Sequence, residues 1–322
     1  MNSELRILFM GTPDFAVHIL DYIIKHQYNV VGVVSVPDKP AGRGQKIHSS
    51  AVAKYAKKNQ LNLLQPEKLK SKAFIQEIKD LDIDVSVVVA FRMLPREVWK
   101  LPKLGTFNLH ASLLPQYRGA APINHAIMNG ETESGVTTFL IDEQIDTGNI
   151  LLQESVKIES TDNAGDLHDK LMETGAKLVI KTLEGLEHKT LIPKPQKEAK
   201  DIKYATKIFK EDCAIPWDKS LLDIYNFIRG LSPYPVAWTH LYNKGKNRVL
   251  KVYKASIEKK NQDLKPGQII IKDKKMGVAH KDGIIWLEEI QLEGKRRMSA
   301  LDFLNGNNLS EHAEIRYIKT TV

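Results

Sequence analysis

Residues 6–35 read RILFMGTPDFAVHILDYIIKHQYNVVGVVS. Arg6–Met10 is apolar at every position after the arginine. Gly11-Thr12-Pro13 then breaks the run. Asp14–Lys25 carries apolar side chains at helical spacing, and Asn29–Ser35 is a second β-branched run. A strand without polar alternation is covered on both faces, as in parallel sheets flanked by helices. Strand, helix and strand within 30 residues therefore predict a βαβ unit.

The pattern continues outward. Leu61–Leu64, Asp84–Phe91, Phe107–His110 and Gly135–Ile141 read as further strands. Helices are predicted near Ser49–Gln60, Ser71–Lys79, Pro122–Asn129 and Ala164–Glu187. The expected fold class is α/β, a doubly wound, mostly parallel, Rossmann-like sheet. Leu191–Ala205, LIPKPQKEAKDIKYA, combines two prolines with many charges and reads as a linker. Beyond it, Ser220 and Asp223 form a near capping box before a helix that Gly230 stops. Short strands follow at Arg248–Ile257, Gly267–Lys272, Met276–His280 and Gly283–Gln291, with Asp282-Gly283 as a hairpin signal. They predict a small β-barrel, OB-like domain. The expected division is 1–189, a linker at 190–207, and 208–322.

The chain of 322 residues has 42% hydrophobic and 27% charged side chains, which excludes disordered and fibrous classes. Its formal charge of +8 is unevenly placed. Residues 1–189 hold 22 basic and 23 acidic side chains, and residues 190–322 hold 25 and 16. The positive excess belongs to the C-terminal part and points to a polyanionic partner there. A single cysteine, Cys213, makes no internal disulfide, so a reducing cytoplasm is expected. It reads as a buried apolar residue and not a nucleophile. Ile7–Met10 lacks a basic flank and a cleavage site. The densest apolar stretch, Val85–Phe91, falls far short of the roughly 20 residues that span a bilayer. No membrane association is expected.

Ligands of open α/β sheets bind beyond the carboxyl ends of the strands. The residues there are Gly11–Asp14, Pro37–Gly44, Arg92–Pro95, Asn108–His110 and Asp142–Gly148. Gly11-Thr12-Pro13 is not the dinucleotide fingerprint. Asn108 and His110 are two apart, so on a strand both face one spot. An amide donor beside an imidazole suits acyl transfer, with the amide on the developing oxyanion and the imidazole moving the proton. A carboxylate nearby would fix the histidine tautomer. Taken singly, His110 is an ordinary core or surface histidine, Asp146-Thr147-Gly148 is a turn, and Arg118 is a solvated cation or an anion ligand. No histidine or cysteine spacing matches a metal site, so none is expected. Without a Gly-x-Ser-x-Gly elbow, Ser112 is a weak candidate nucleophile.

The run FNLHASLLPQYRGAAPINHAIMNGETESGVTTFLIDEQIDTGNIL, Phe107–Leu151, resembles the formyltransferase family that uses 10-formyltetrahydrofolate. Asn108/His110, Ser112–Ile123 and Asp142–Gly148 carry the resemblance. FMGTPDFA (Phe9–Ala16), PDKPAGRGQK (Pro37–Lys46), KYATKIFKEDCAIPW (Lys203–Trp217) and Gly294–Phe303 extend it over nearly the whole chain. Phe91-Arg92-Met93-Leu94-Pro95 departs from the Tyr-Gly version common in the family. It resembles the loop of the relative that formylates glycinamide ribonucleotide.

The resemblance implies a catalytic domain followed by a tRNA-binding barrel. It implies formyl transfer to the free amine of methionyl-initiator-tRNA, in translation initiation, by a metal-free monomer. It assigns catalysis to Asn108, His110 and Asp146. It assigns folate binding to Phe91, Arg92, Met93, Leu94, Ser112, Leu113, Leu114, Pro115 and Asp142. Arg43, Lys46 and Arg118 would contact tRNA. A formyltransferase acting on a nucleotide sugar or small amine, a formyltetrahydrofolate hydrolase and a non-catalytic tRNA-binding module remain alternatives.

Overall fold

The computed structural model describes residues 4–41, 46–197, 201–260 and 264–316. They form two compact units that interleave in sequence. One holds the chain up to Gly119 with Glu133–Lys157 and Asp169–Tyr204. The other holds Ala120–Thr132, Ile158–His168 and the chain from Ala205 onward.

The first unit is built on a seven-stranded sheet. Its spatial order is Ile150–Lys157, Glu133–Leu140, Thr106–His110, Val85–Val89, Arg6–Gly11, Asn29–Val34 and Leu63–Leu64. The last five run parallel, as the apolar runs predict, and Glu133–Leu140 pairs antiparallel with both of its neighbours, Thr106–His110 and Ile150–Lys157. From Arg6–Gly11 the chain builds outward to Leu63–Leu64, then returns to Val85–Val89 on the other side. That reversal makes the switch point at which such sheets open a crevice.

Each helix presents an apolar stripe to the sheet. Asp14–Lys25 buries Phe15, Ala16, Ile19, Leu20 and Ile23. Phe15, Ile19, Leu20 and Ile23 each contribute about 1.5–3 kcal/mol. Ser50 and Ser71 cap the helices Ala51–Lys58 and Lys72–Asp80 by accepting from Ala53 N and Phe74 N. Gly11 lets the first helix approach, since a Cβ there would stand 2.6 Å from the Ala16 Cβ.

Three details differ from expectation. Leu61–Leu64 narrows to Leu63–Leu64. Ile150–Lys157, to which the sequence reading assigns no element, is an edge strand with half of its side chains exposed. The glycine-rich loop starts and ends as a short antiparallel pair, Lys39–Ala41 with Lys46–His48.

In the second unit six strands run in the order Ile269–Lys272, Lys275–His280, Gly283–Leu292, Lys246–Lys259, Ala237–Asn243 and Glu314–Arg316. The two ends also meet. Ile315 N–H donates to the Gly267 carbonyl at 2.7 Å, and Ile269 N–H donates to the Ala313 carbonyl at 3.2 Å. The sheet thus closes into the small barrel expected. Leu250, Val252, Val278, Ile285, Leu287 and Ile290 fill it, with Ile224 and Ile228 of the helix Leu221–Gly230 and Phe303 of Ala300–Gly306. The hairpin after Met276–His280 pairs His280 with Gly283, so Lys281 and Asp282 form its loop, one residue before the expected turn.

The helix Pro122–Met128, expected in the N-terminal part, belongs to this unit. It packs on Leu221–Gly230, with Asn124 donating to the Gly230 carbonyl at 2.8 Å. Cys213 is buried, and burial pushes its thiol up to about 11, as suits an inert core residue. Among the described residues no helix is long and apolar enough to cross a membrane.

Candidate active site

Thr106–His110 positions the first two residues. Phe107 and Leu109 point to one face, where Leu109 fills the space above Gly175 of the helix Ala164–Glu187. Asn108 and His110 point to the other. Asn108 stands in register between Val88 and Phe139. It is half-buried, and its carboxamide makes no hydrogen bond with the described residues.

His110 is buried, with only 6% of its surface exposed. Its Nε2 lies 2.8 Å from the Tyr117 carbonyl oxygen. A carbonyl only accepts, so Nε2 carries hydrogen. Nδ1 faces Asp146 Oδ2 at 3.8 Å, an ion-pair distance too long for a hydrogen bond. Each ring nitrogen thus faces an oxygen, Nε2 within hydrogen-bond distance and Nδ1 beyond it. The predicted Asn108, His110 and Asp146 therefore come together, as a facing pair on one strand with a carboxylate opposite the ring.

Asp146 sits in the loop between the strands Glu133–Leu140 and Ile150–Lys157. Its φ of 56° is left-handed, a conformation that aspartate tolerates better than most residues. Its Oδ2 also accepts from Gly119 N–H at 2.9 Å. Asp142 shapes the same loop by accepting from Gln144 N–H at 3.0 Å and from the Thr147 hydroxyl at 2.8 Å. Gly148 completes the motif, because a Cβ there would overlap the Leu140 carbonyl oxygen.

The Ser112–Pro115 stretch is fixed from beneath. Ser112 is fully buried and donates its hydroxyl to the Gln116 carbonyl at 2.6 Å. Thr137 Oγ1 donates to the Ser112 carbonyl at 2.6 Å and accepts from Leu114 N–H at 3.1 Å and from Gln153 at 2.9 Å. Leu113 covers Gly135, Leu114 is buried, and Pro115 is half-buried.

On the Val85–Val89 side, Ala90 turns the chain with a φ of 46°. Phe91 is half-buried, Leu94 is buried and Met93 is 72% exposed. Arg92 donates to the carbonyls of Glu67 and Pro66, with its guanidinium 5.6 Å from the Phe91 ring centre. Arg118 Nε and Nη2 donate to Gln196 Oε1 at 3.1 and 2.6 Å. Arg43 and the Lys46 side chain lie outside the described residues.

Sequence reasoning missed Tyr117, Thr137 and Gln196. Tyr117 acts through its backbone carbonyl, which no side-chain pattern reports. Thr137 reads only as one more β-branched strand residue. Gln196 is the one amide in the run LIPKPQK, 50 residues from the loop it touches.

Comparison with known proteins gives the family. A formyl transferase model matches residues 5–183, and a model of the formyl transferase C-terminal domain matches residues 207–308. The methionyl-tRNA formyltransferase of Flavobacterium johnsoniae is 53% identical, over 97% of this chain and 99% of its own length. That of Bacteroides fragilis is 48% identical, over 98% and 99%. Among solved structures, the N-formyltransferase from Helicobacter canadensis, in complex with folinic acid and dTDP-3-aminofucose, shares the fold. Its TM-score is 0.61 at 24% identity, covering 88% of this chain and 98% of that one. The chain belongs to the formyl transferase family.

Proposed function

We propose that this chain transfers a formyl group from 10-formyltetrahydrofolate to the α-amino group of methionyl-initiator-tRNA, in the cytoplasm. The observation that carries this reading is likeness at about half identity, end to end, to relatives named for that reaction. The site's chemistry fits it. Asn108 has N–H groups to spare for a ligand oxygen, and His110, faced by Asp146 from a neighbouring loop, lies two residues along the same strand.

When bound, the folate supplies a formyl carbon attached to a nitrogen leaving group. A free α-amine has a reference pKa of roughly 7.7–8.0, so a usable neutral fraction exists near pH 7 without a strong base. Asn108 donates to the formyl oxygen as negative charge gathers on it. The amine attacks the formyl carbon, the bond from that carbon to the folate nitrogen breaks, and the proton lost by the amine goes to that nitrogen. His110, with Nε2–H held by Tyr117, serves this transfer through Nδ1. Asp146 holds the imidazolium, as the carboxylate of a catalytic triad does. The Phe91–Leu94 and Ser112–Pro115 loops and Asp142 would border the folate. Arg43, Lys46 and Arg118 would meet the acceptor end, and the basic barrel would hold phosphates.

The test is transfer of labelled formyl from 10-formyltetrahydrofolate. Label on methionyl-initiator-tRNA is the expected result. Label on a small amine or nucleotide sugar, or release as formate, overturns it. Removing one oxyanion donor costs about 10²–10³ in rate, so Asn108→Ala should lose that much kcat while folding normally. Near-normal turnover in Asn108→Ala, His110→Ala and Asp146→Ala would sink the catalytic assignment.

A further inference from the structure

Gln196 lies in the proline-lysine run that the sequence presents as linker, yet its carboxamide is fully engaged. Nε2 donates to the carbonyl oxygens of Asp146 at 2.8 Å and Gly148 at 2.9 Å. Oε1 accepts both hydrogen bonds from Arg118. Two N–H groups and one oxygen are all the carboxamide has to give. Two residues earlier, Lys194 and Ile150 exchange N–H···O bonds, both at 2.8 Å. The segment is thus fastened like a short strand to the end of the loop that carries Asp146.

That loop is gripped from three sides. Asp142 ties Thr147 from within, Gly148 rests on the Leu140 carbonyl, and Gln196 holds the two backbone carbonyls that flank Thr147. Asp146 is left-handed, and its peptide sets the point from which its carboxylate projects. The carboxylate meets His110 Nδ1 on one side and Gly119 N–H on the other. Gln196 thus fixes the backbone of Asp146, and Gly119 N–H and His110 fix the side chain that projects from it.

We propose that Gln196 is a positioning residue for formyl transfer, which clamps the Asp146 loop so that the carboxylate faces His110 and fixes Arg118 beside the same loop. Arg118 keeps N–H donors beyond the two given to Gln196, so an anionic group of the substrate that engages them is tied through one carboxamide to the catalytic loop. The segment between the two family-matched regions thus becomes part of the active site. The inference rests on the reaction proposed above.

The experiment uses full-length wild type, Gln196→Ala and Gln196→Glu. Steady-state kinetics, thermal unfolding and the ¹⁵N-imidazole resonances of His110, assigned with His110→Gln, are measured for each. Misplacing a catalytic group by an ångström costs about a hundredfold, so Gln196→Ala should lower kcat between about tenfold and a hundredfold. The KM for the formyl donor should stay within about twofold. The His110 resonances should move in the substrate-free protein. Gln196→Glu retains an acceptor for Arg118 but has no N–H for the two carbonyls, so it should recover no activity.

The proposal is overturned if Gln196→Ala keeps its kcat, or if it unfolds more readily with kcat and His110 resonances unchanged. It is also overturned if Gln196→Glu restores turnover, because the Arg118 contact alone would then suffice. Absence of formyl transfer in the wild type would overturn the functional reading instead. The His110 resonances test the clamp without substrate, so the two failures are distinguishable.

Discussion

Gly148 has no room for even one carbon, since a Cβ would overlap the Leu140 carbonyl and lie 2.9 Å from the carbonyl carbon. Gly148→Ala must therefore push the loop off the strand, and Asp146 is two residues away. Overpacking of this kind costs about 1–3 kcal/mol. We expect urea unfolding to report such a loss, and kcat to fall further than the donor's KM changes. Asp38, after the second strand, gives a pH-dependent prediction. Hydrogen bonds from Lys57, Gln65 and Ser49 hold its carboxyl at about 2, below its usual 3.8. A depressed carboxyl stabilises the fold above its unfolded pKa, and that contribution is lost as pH falls through the folded value. The stability gap between wild type and Asp38→Asn should be constant above about pH 4 and close towards pH 2. A gap that persists unchanged at pH 2 would refute the assignment.

At the scale of elements, the helix Leu221–Gly230 begins as its sequence specifies. The Ser220 hydroxyl accepts from Asp223 N–H at 3.1 Å and donates to the Asp223 carboxylate at 2.8 Å. Ser220→Ala should cost about 1 kcal/mol, read as a lower denaturant midpoint at unchanged slope. Elements of this kind were legible because their signals are local: a cap, an apolar stripe, an unbroken β-branched run. Asn108 and His110 were legible for the same reason, since two residues of one strand share a face.

Other elements owe their form to contacts distant in sequence. Ile150–Lys157 is a strand because Glu133–Leu140 offers it an edge, and half of its own residues are polar. Ala237–Asn243 alternates buried and half-buried positions, but its half-buried face carries Trp238, His240 and Tyr242, which disguise the period of two. Gln196 looks like spacer until the fold brings Asp146 to it. The family resemblance supplied the role of Asp146, which neighbouring residues alone left as a turn.

Across the whole molecule the question is which of the positive charges are available to a polyanion. The excess falls in residues 190–322, but several of those cations are already spent. Arg297 pairs with Glu289 in a two-pronged contact at 2.7 and 2.6 Å, Lys254 pairs with Glu288, and Arg316 pairs with Glu314. Lys244 and Lys246, in the hairpin joining Ala237–Asn243 to Lys246–Lys259, are exposed and have no carboxylate partner among the described residues. Each phosphate that a free cation neutralises releases counterions, which adds roughly −0.7 to −0.9 to the slope of log affinity against log salt. A cation already held by a carboxylate adds little, because engaging a phosphate would cost it that partner. If the barrel holds tRNA phosphates, Lys244→Ala with Lys246→Ala should flatten the slope by about one to two units. Arg297→Ala should leave it nearly unchanged. The KM for the formyl donor should not respond to either substitution. Filter binding of methionyl-initiator-tRNA between low and moderate salt measures this directly, and a slope unaltered by the double lysine substitution would remove the hairpin from the tRNA-binding surface.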